Sequence, residues 1–117
     1  MRIEYEIQEH RCILRLQGRF FTGSDSDYAR VRKQLRKAEI RIAIADCSEL
    51  PYVDSTGLAF MVGLHQDMAA ASGRFAMFGI NARVREVLQL TRLDRELAIY
   101  PDEGEALEAL DPTTAVA

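Results

Sequence analysis

The apolar residues of this chain keep switching period, from two to about 3.6 and back, and that switching limits the folds open to it. IEYEI (3–7) and CILRL (12–16) both alternate, and the QEHR between them is short enough for a hairpin. Past residue 24 the period becomes helical: Tyr28, Val31, Leu35 and Ala38 line one side while charge fills the other. Ser24 with Asp27 three residues later resembles a capping box, with Asp in place of the usual Glu or Gln. IRIAIAD (40–46) is the clearest strand, with Ile40, Ile42 and Ile44 on one face and Ala43 and Ala45 on the other. Small residues on the second face ask for something packed close against it, as when both faces of a sheet are covered.

Residues 55–71 carry Leu58, Met61, Val62, Leu64, Met68 and Ala69 at helical spacing, and Ser72-Gly73 ends that helix. RFAMFGI (74–80) is another apolar strand. Asn81 can cap a further helix with Val84, Val87, Leu88 and Leu90 on its inner side. LAIY (97–100) is a short strand stopped by Pro101, and GEALEAL (104–110) is a last short helix. The closing DPTTAVA has no packing pattern and is expected to fray. The order is therefore β-β-α-β-α-β-α-β-α. It predicts an α/β domain with a mixed, mostly parallel sheet of about five strands packed with about four helices. A chain of 117 residues, 48% of them hydrophobic, suits one such domain, expected over residues 1–110 with 111–117 as a tail.

Charge narrows the function. Fifteen basic against eighteen acidic residues give a formal charge of -3, which argues against a protein that neutralises many nucleic-acid phosphates. Arg30, Arg32, Lys33, Arg36 and Lys37 cluster, but without interleaved aromatics they read as the solvated face of a helix. The Asp25-Ser26-Asp27 run fails as a calcium loop, because Ala29 and Arg30 stand where a third acid and a glycine are needed. Cys12 and Cys47 are far apart, there is no CxxC, and no histidine pair sits at metal-ligand spacing. No cofactor is expected. No signal peptide opens the chain and no apolar run approaches the length that crosses a bilayer, so a reducing, cytoplasmic setting away from the membrane is the simplest expectation.

The chemistry concentrates at VDSTG (53–57), where two hydroxyls follow an aspartate at the start of a helix. Ser55 could be a nucleophile, a cap, or a place where another protein writes a charge. A nucleophile elbow needs glycine two residues before and two after the serine, and here Val53 fills the first position. His65 lies ten residues along the same predicted helix, roughly 15 Å away at 1.5 Å per residue, and His10 falls in the hairpin turn, so no base is at hand. Hydrolase chemistry is not expected. Asp54, Ser55 and Thr56 are all capping types, yet one cap does not need three of them followed by Gly57. A helix N-terminus does accept phosphate without unfolding, and a phosphoserine would add about -1.5 to -2 charges beside Asp54.

The stretch DCSELPYVDSTG (46–57), with LAFMVGLHQDM behind it, resembles the signature of the STAS domains of bacterial anti-sigma-factor antagonists. FGINARVREVLQLTRLDRELAIYPD is similar to that family's next section, with Val84, Leu88 and Leu93 on its helix. The resemblance covers nearly the whole chain. It implies a non-enzymatic partner switch: the unmodified protein binds an anti-sigma factor that is also a serine kinase of the histidine-kinase-like ATPase fold, which frees the sigma factor. Phosphorylation of Ser55 by that kinase then ends the contact, and a PP2C-type phosphatase resets it. Thr56 would be a neighbour or secondary acceptor, Asp54 and Gly57 would shape the acceptor loop, and Asp46 would hold the turn. The loop residues Phe21, Thr22 and Gly23 would join Ser55 at the partner contact. The chain departs from the family where Arg19, Phe20 and Phe21 follow Gly18, a place that commonly carries an acid. A different class of role is a STAS scaffold subunit of a transport or stress-signalling complex, with Ser55 only a helix cap.

Overall fold

A computed structural model describes residues 2–18 and 25–111. Arg19, Phe20, Phe21, Thr22, Gly23 and Ser24 therefore lie outside the described residues, and with them the expected capping box and the loop part of the partner contact. The elements are β1 (Arg2–Gln8), β2 (Arg11–Gln17), α1 (Asp25–Lys37), β3 (Ile42–Glu49), α2 (Ser55–Ala70), β4 (Arg74–Phe78), α3 (Ala82–Leu90), β5 (Ala98–Tyr100) and α4 (Glu103–Leu110), with one 3-10 turn at Leu93–Arg95. The five strands form a single sheet in the order β1-β2-β3-β4-β5. β1 runs antiparallel to β2 through a tight turn in which Glu9 takes a positive φ of 58°, and every later pairing is parallel. The expected mixed sheet with four helices is what forms.

Strand alternation sends side chains to two unequal cores. Leu14 pairs with Ala45, and Ala45 with Met77, so these three share a face. Together with Cys12, Ala43 and Phe75 they meet Leu35 of α1, Phe60, Met61 and Leu64 of α2, and Leu88 of α3 in the larger core. Ala43 and Ala45 are fully buried there, and their small size lets the bulky residues of α2 approach the sheet. The opposite face of β3 and β4 presents Ile42, Ile44, Ala76 and Phe78 to Ala106 and Leu110 of α4. Both faces are covered, as the alanines in β3 require.

Several positions differ from the sequence reading, among them Ala38, which is exposed just past the end of α1. Ile40 precedes β3 and belongs to the larger core, away from Ile42 and Ile44. Its N–H donates to the Leu35 carbonyl at 3.2 Å, so it finishes the turn after α1 before the strand begins. Leu90 is 77% exposed, because it sits two residues past Leu88 and so about 200° around the helix. In α2, Ala69 is exposed while Phe60, absent from the expected apolar set, is buried with its ring 5.1 Å from that of Tyr28. The turn after α2 is as anticipated: Gly73 N–H donates to the Met68 carbonyl at 2.6 Å, and a Cβ on Gly73 would collide with the Arg41 carbonyl.

Candidate functional site

Residues 50–57 lead from the C-terminal end of β3 into α2, and both ends of the connection are anchored. Leu50 and Val53 are each 1% exposed, and Leu50 N–H donates to the Cys47 carbonyl at 3.0 Å. The Asn81 side chain binds the loop from outside, its amide donating to the carbonyls of Leu50 (3.4 Å) and Pro51 (3.1 Å). The Asn81 carbonyl oxygen meanwhile accepts from Val84 N–H at 2.8 Å and caps α3. Asn81 was legible in the sequence as a cap; its second task as a clamp on this loop was not. Tyr52 stays exposed with the Arg83 guanidinium 5.4 Å above its ring, so α3 grips the loop twice.

The cap of α2 is Asp54. Its backbone is extended (φ -103°, ψ -172°), and its carboxylate accepts from Gly57 N–H at 3.0 Å. Ser55 is thus the first helical residue and exposed, Thr56 is half-buried, and Gly57 is buried. The reading of Ser55 as the cap is overturned, since Asp54 does that work, and the Ser55 hydroxyl has no hydrogen bond to another of the described residues. The first turn of α2 holds no acidic residue. At the start of α4, where Asp102 caps in the same way through Glu105 N–H at 2.8 Å, Glu103 and Glu105 both stand in the first turn.

Ser55 and Thr56 open onto a groove of about 330 Å³ between α1 and α2, with Tyr28, Phe60, Ala59 and Arg32 among its walls. Arg32 is fixed by a two-pronged ion pair to Asp67: Nε reaches Oδ2 at 2.8 Å and Nη2 reaches Oδ1 at 3.0 Å. Arg36 adds a third contact to the same carboxylate at 3.1 Å. Hydrogen bonding from Arg32, against the opposing effect of burial, holds the Asp67 carboxyl below the usual carboxylate range. The Arg32 guanidinium lies over Gly63, where a Cβ would collide with it. The basic run on α1 is therefore only partly a solvated face: Arg32 and Arg36 clamp α1 to α2, while Arg30 pairs with Asp27 at 3.0 Å.

Asp46 lies on the other side of the sheet from this groove, facing α4. Its Oδ1 accepts from the Ser48 amide at 2.9 Å and from the Ser48 hydroxyl, and its Oδ2 from Arg15 at 2.6 Å. Burial pushes its pKa up, but the Ser48 and Arg15 hydrogen bonds outweigh burial and leave the carboxyl below its ordinary value. Arg15 also reaches Glu103 of α4 at 3.3 Å. Asp46 holds the strand end and ties it to α4.

Neither histidine is placed at Ser55. His65 is half-buried farther along α2, in a separate cavity with Arg74 and Tyr100. His10 sits in the hairpin turn at the far end of the sheet, where its carbonyl accepts from Arg41 (2.8 Å) and Ile42 (3.2 Å). Burial pushes the thiols of Cys12 and Cys47 up to about 12, so neither is a ready nucleophile. Among the described residues no group of His, Cys, Asp and Glu could hold a metal ion, and no helix is long and apolar enough to cross a membrane.

This arrangement has relatives. The TM1081 homologue of Thermotoga neapolitana is 38% identical over 61 residues, and the match spans 52% of this chain and about half (54%) of that relative's length. The anti-sigma F factor antagonist of Paenibacillus polymyxa is 25% identical over 115 residues, covering 95% of this chain and 97% of the relative. The same fold is seen in the anti-sigma factor antagonist SpoIIAA in its unphosphorylated form, with a TM-score of 0.77, 20% identity and coverage of 95% and 97% of the two chains. It is seen too in Bacillus SpoIIAA in the phosphorylated form, with a TM-score of 0.71, 19% identity and coverage of 92% and 98%. The STAS domain profile matches residues 2–106, so the chain belongs to the STAS domain family.

Proposed function

We propose that this chain is a cytoplasmic, non-enzymatic anti-sigma factor antagonist that works by partner switching. The unmodified chain binds an anti-sigma factor that is also a serine kinase of the histidine-kinase-like ATPase fold. That partner phosphorylates Ser55 and releases the chain, and a PP2C-type phosphatase restores it. One observation carries the reading: Ser55 is an exposed hydroxyl, uncommitted among the described residues, on the first turn of a helix that is already capped by Asp54 and has no acid in that turn. A phosphate there meets the positive end of the helix, so the fold tolerates it. The same charge changes the face that a partner must cover, together with Thr56 and the mouth of the α1–α2 groove. Kinship with proteins named as antagonists of anti-sigma factors supports the class of partner.

The test is co-purification from the source cells with the native chain, Ser55→Ala and Ser55→Asp as baits. A partner of the ATPase type should be retained by the native chain and Ser55→Ala, and retention by Ser55→Asp should fall by 100-fold or more, about 3 kcal/mol of binding. Equal retention by all three baits would instead favour a scaffold subunit whose contacts ignore Ser55.

A further inference from the structure

We propose that β1 is a docking strip for an extended segment of another protein in which lysine or arginine alternates with apolar residues. β1 is an outer strand of the sheet, and every residue of it except Ile3 is exposed. Among the described residues no strand pairs with its outer edge, which offers a row of backbone N–H and C=O groups, the template on which a further strand adds.

The side chains beside that edge differ sharply between the two faces. Ile7 pairs across the hairpin with Cys12 and Tyr5 with Leu14, and both β2 residues are fully buried in the larger core. Tyr5 and Ile7 thus continue the apolar face outward while remaining 39% and 41% exposed. On the opposite face Glu4 and Glu6 point away from that core. Glu4 is opposite Arg15, but Arg15 is already engaged with Asp46 and Glu103. Glu6 is opposite Ile13 and has no ion pair among the described residues. Among the described residues Arg2 pairs with Glu4 alone, at 2.5 Å and well exposed. The strip is apolar on one side and acidic on the other.

A second copy of the chain is a poor occupant. With Tyr5 opposite Tyr5 in an antiparallel pairing, Glu4 faces Glu6 twice. A shift of two residues sets Glu4 against Glu4 or Glu6 against Glu6, and an in-register parallel pairing does both; a shift of four sets Arg2 against Glu4 or Glu6 against Gln8, but pairs only three residues of β1 in each copy. Odd shifts keep the glutamates apart only by placing the apolar face of one copy against the charged face of the other. Like charges directly opposite destabilise a pairing, whereas a cation at each of those positions stabilises it. The preferred occupant therefore carries cations facing Glu4 and Glu6 and apolar residues facing Tyr5 and Ile7.

The probe is an eight-residue peptide alternating lysine and valine, titrated into the isotope-labelled chain and followed by amide chemical shifts. Shifts should concentrate in residues 2–8 and their β2 neighbours. A peptide of the same composition in block order, and one N-methylated at the alternate amides that face β1, should bind far more weakly. The double variant Glu4→Lys/Glu6→Lys should bind the alternating lysine peptide on the order of tenfold less tightly and take up its glutamate counterpart. Both sites are exposed, and the N-methylated peptide on the native chain provides a second readout should that variant fold poorly. Equal binding of the block-order peptide, or shifts centred elsewhere, would reduce the effect to non-specific charge attraction and overturn the proposal. It would also fall if the native chain ignored the peptide while Glu4→Gln/Glu6→Gln dimerised, since the acids would then only guard the edge against a second copy.

Discussion

The helices α2 and α4 begin alike and then diverge. Each opens with an extended aspartate, Asp54 or Asp102, whose carboxylate accepts from the amide three residues on. In α4 the first and third helical positions are Glu103 and Glu105, permanent charges that complement the helix dipole. In α2 the same positions are Ser55 and Gly57, both neutral. The helices are also tied down differently. Asp67 anchors α2 to α1 with three arginine contacts of 2.8 to 3.1 Å, while α4 is tied by longer ones, Arg15 to Glu103 and Arg11 to Asp111 at 3.3 Å and Arg74 to the Ala109 carbonyl at 3.4 Å. A first turn left without acid, on the helix tied by the shorter ion-pair contacts, is suited to a charge that comes and goes. The start of α4 has its negative charge already and has nothing to switch.

The anchoring difference gives the largest expected effect on stability. Asp67→Ala strands the partly buried Arg32 and should cost about 2 kcal/mol, against about 0.5 kcal/mol for Glu103→Gln in its exposed pair. Urea unfolding of the two variants checks the ranking, and equal losses would break the contrast. Because the Asp67 pKa is lowered in the folded chain, its contribution is complete above the ordinary carboxylate range and drains away as pH falls through the lowered folded value. The gap between native chain and Asp67→Ala should narrow at the same acid end of a pH series, and a gap that widened there would contradict the ion pair.

The shared feature comes next in size. Asp54→Ala and Asp102→Ala each remove one cap and should each cost about 1 kcal/mol, a fall in melting temperature of about 4 °C. A negligible loss at Asp54 would return the capping task to Ser55 and undo the assignment of its hydroxyl as uncommitted. The smallest effect sharpens the contrast most. Ser55→Glu gives α2 the acid that α4 already has, and should stabilise the chain by about 0.5 kcal/mol at low salt, with the gain shrinking as salt is added. Destabilisation instead would mean that the α2 N-terminus does not welcome charge.

Much of this was legible because the local signals agree with one another. Period changes gave the element order, Asn81 announced α3, and the alanines of β3 announced a closely packed helix. The VDSTG stretch was visible too, but three capping residues in a row left the cap itself open. Only the extended backbone of Asp54 and its bond to Gly57 decide it. What stayed hidden is long-range. Arg32 and Asp67 are 35 residues apart, and nothing local marks them as partners. Nothing local marks Gly63 either, yet a Cβ there would collide with the Arg32 guanidinium and displace it. Ile40 kept the strand's alternation in sequence, yet its amide was already taken by the end of α1. Leu90 shows the converse error, an apolar residue near a helical stripe that the geometry turns to solvent.

The central claim is that the free hydroxyl at the start of α2 receives a phosphate. The most direct measurement is mass-spectrometric mapping of phosphorylation on this chain, purified with its associated proteins from the source cells and then incubated with ATP. The account predicts a phosphate on Ser55 in a fraction of the molecules, absent from the Ser55→Ala variant. A Ser55 that remains unmodified in every growth state and after ATP addition, or a phosphate found elsewhere and indifferent to Ser55→Ala, would contradict it.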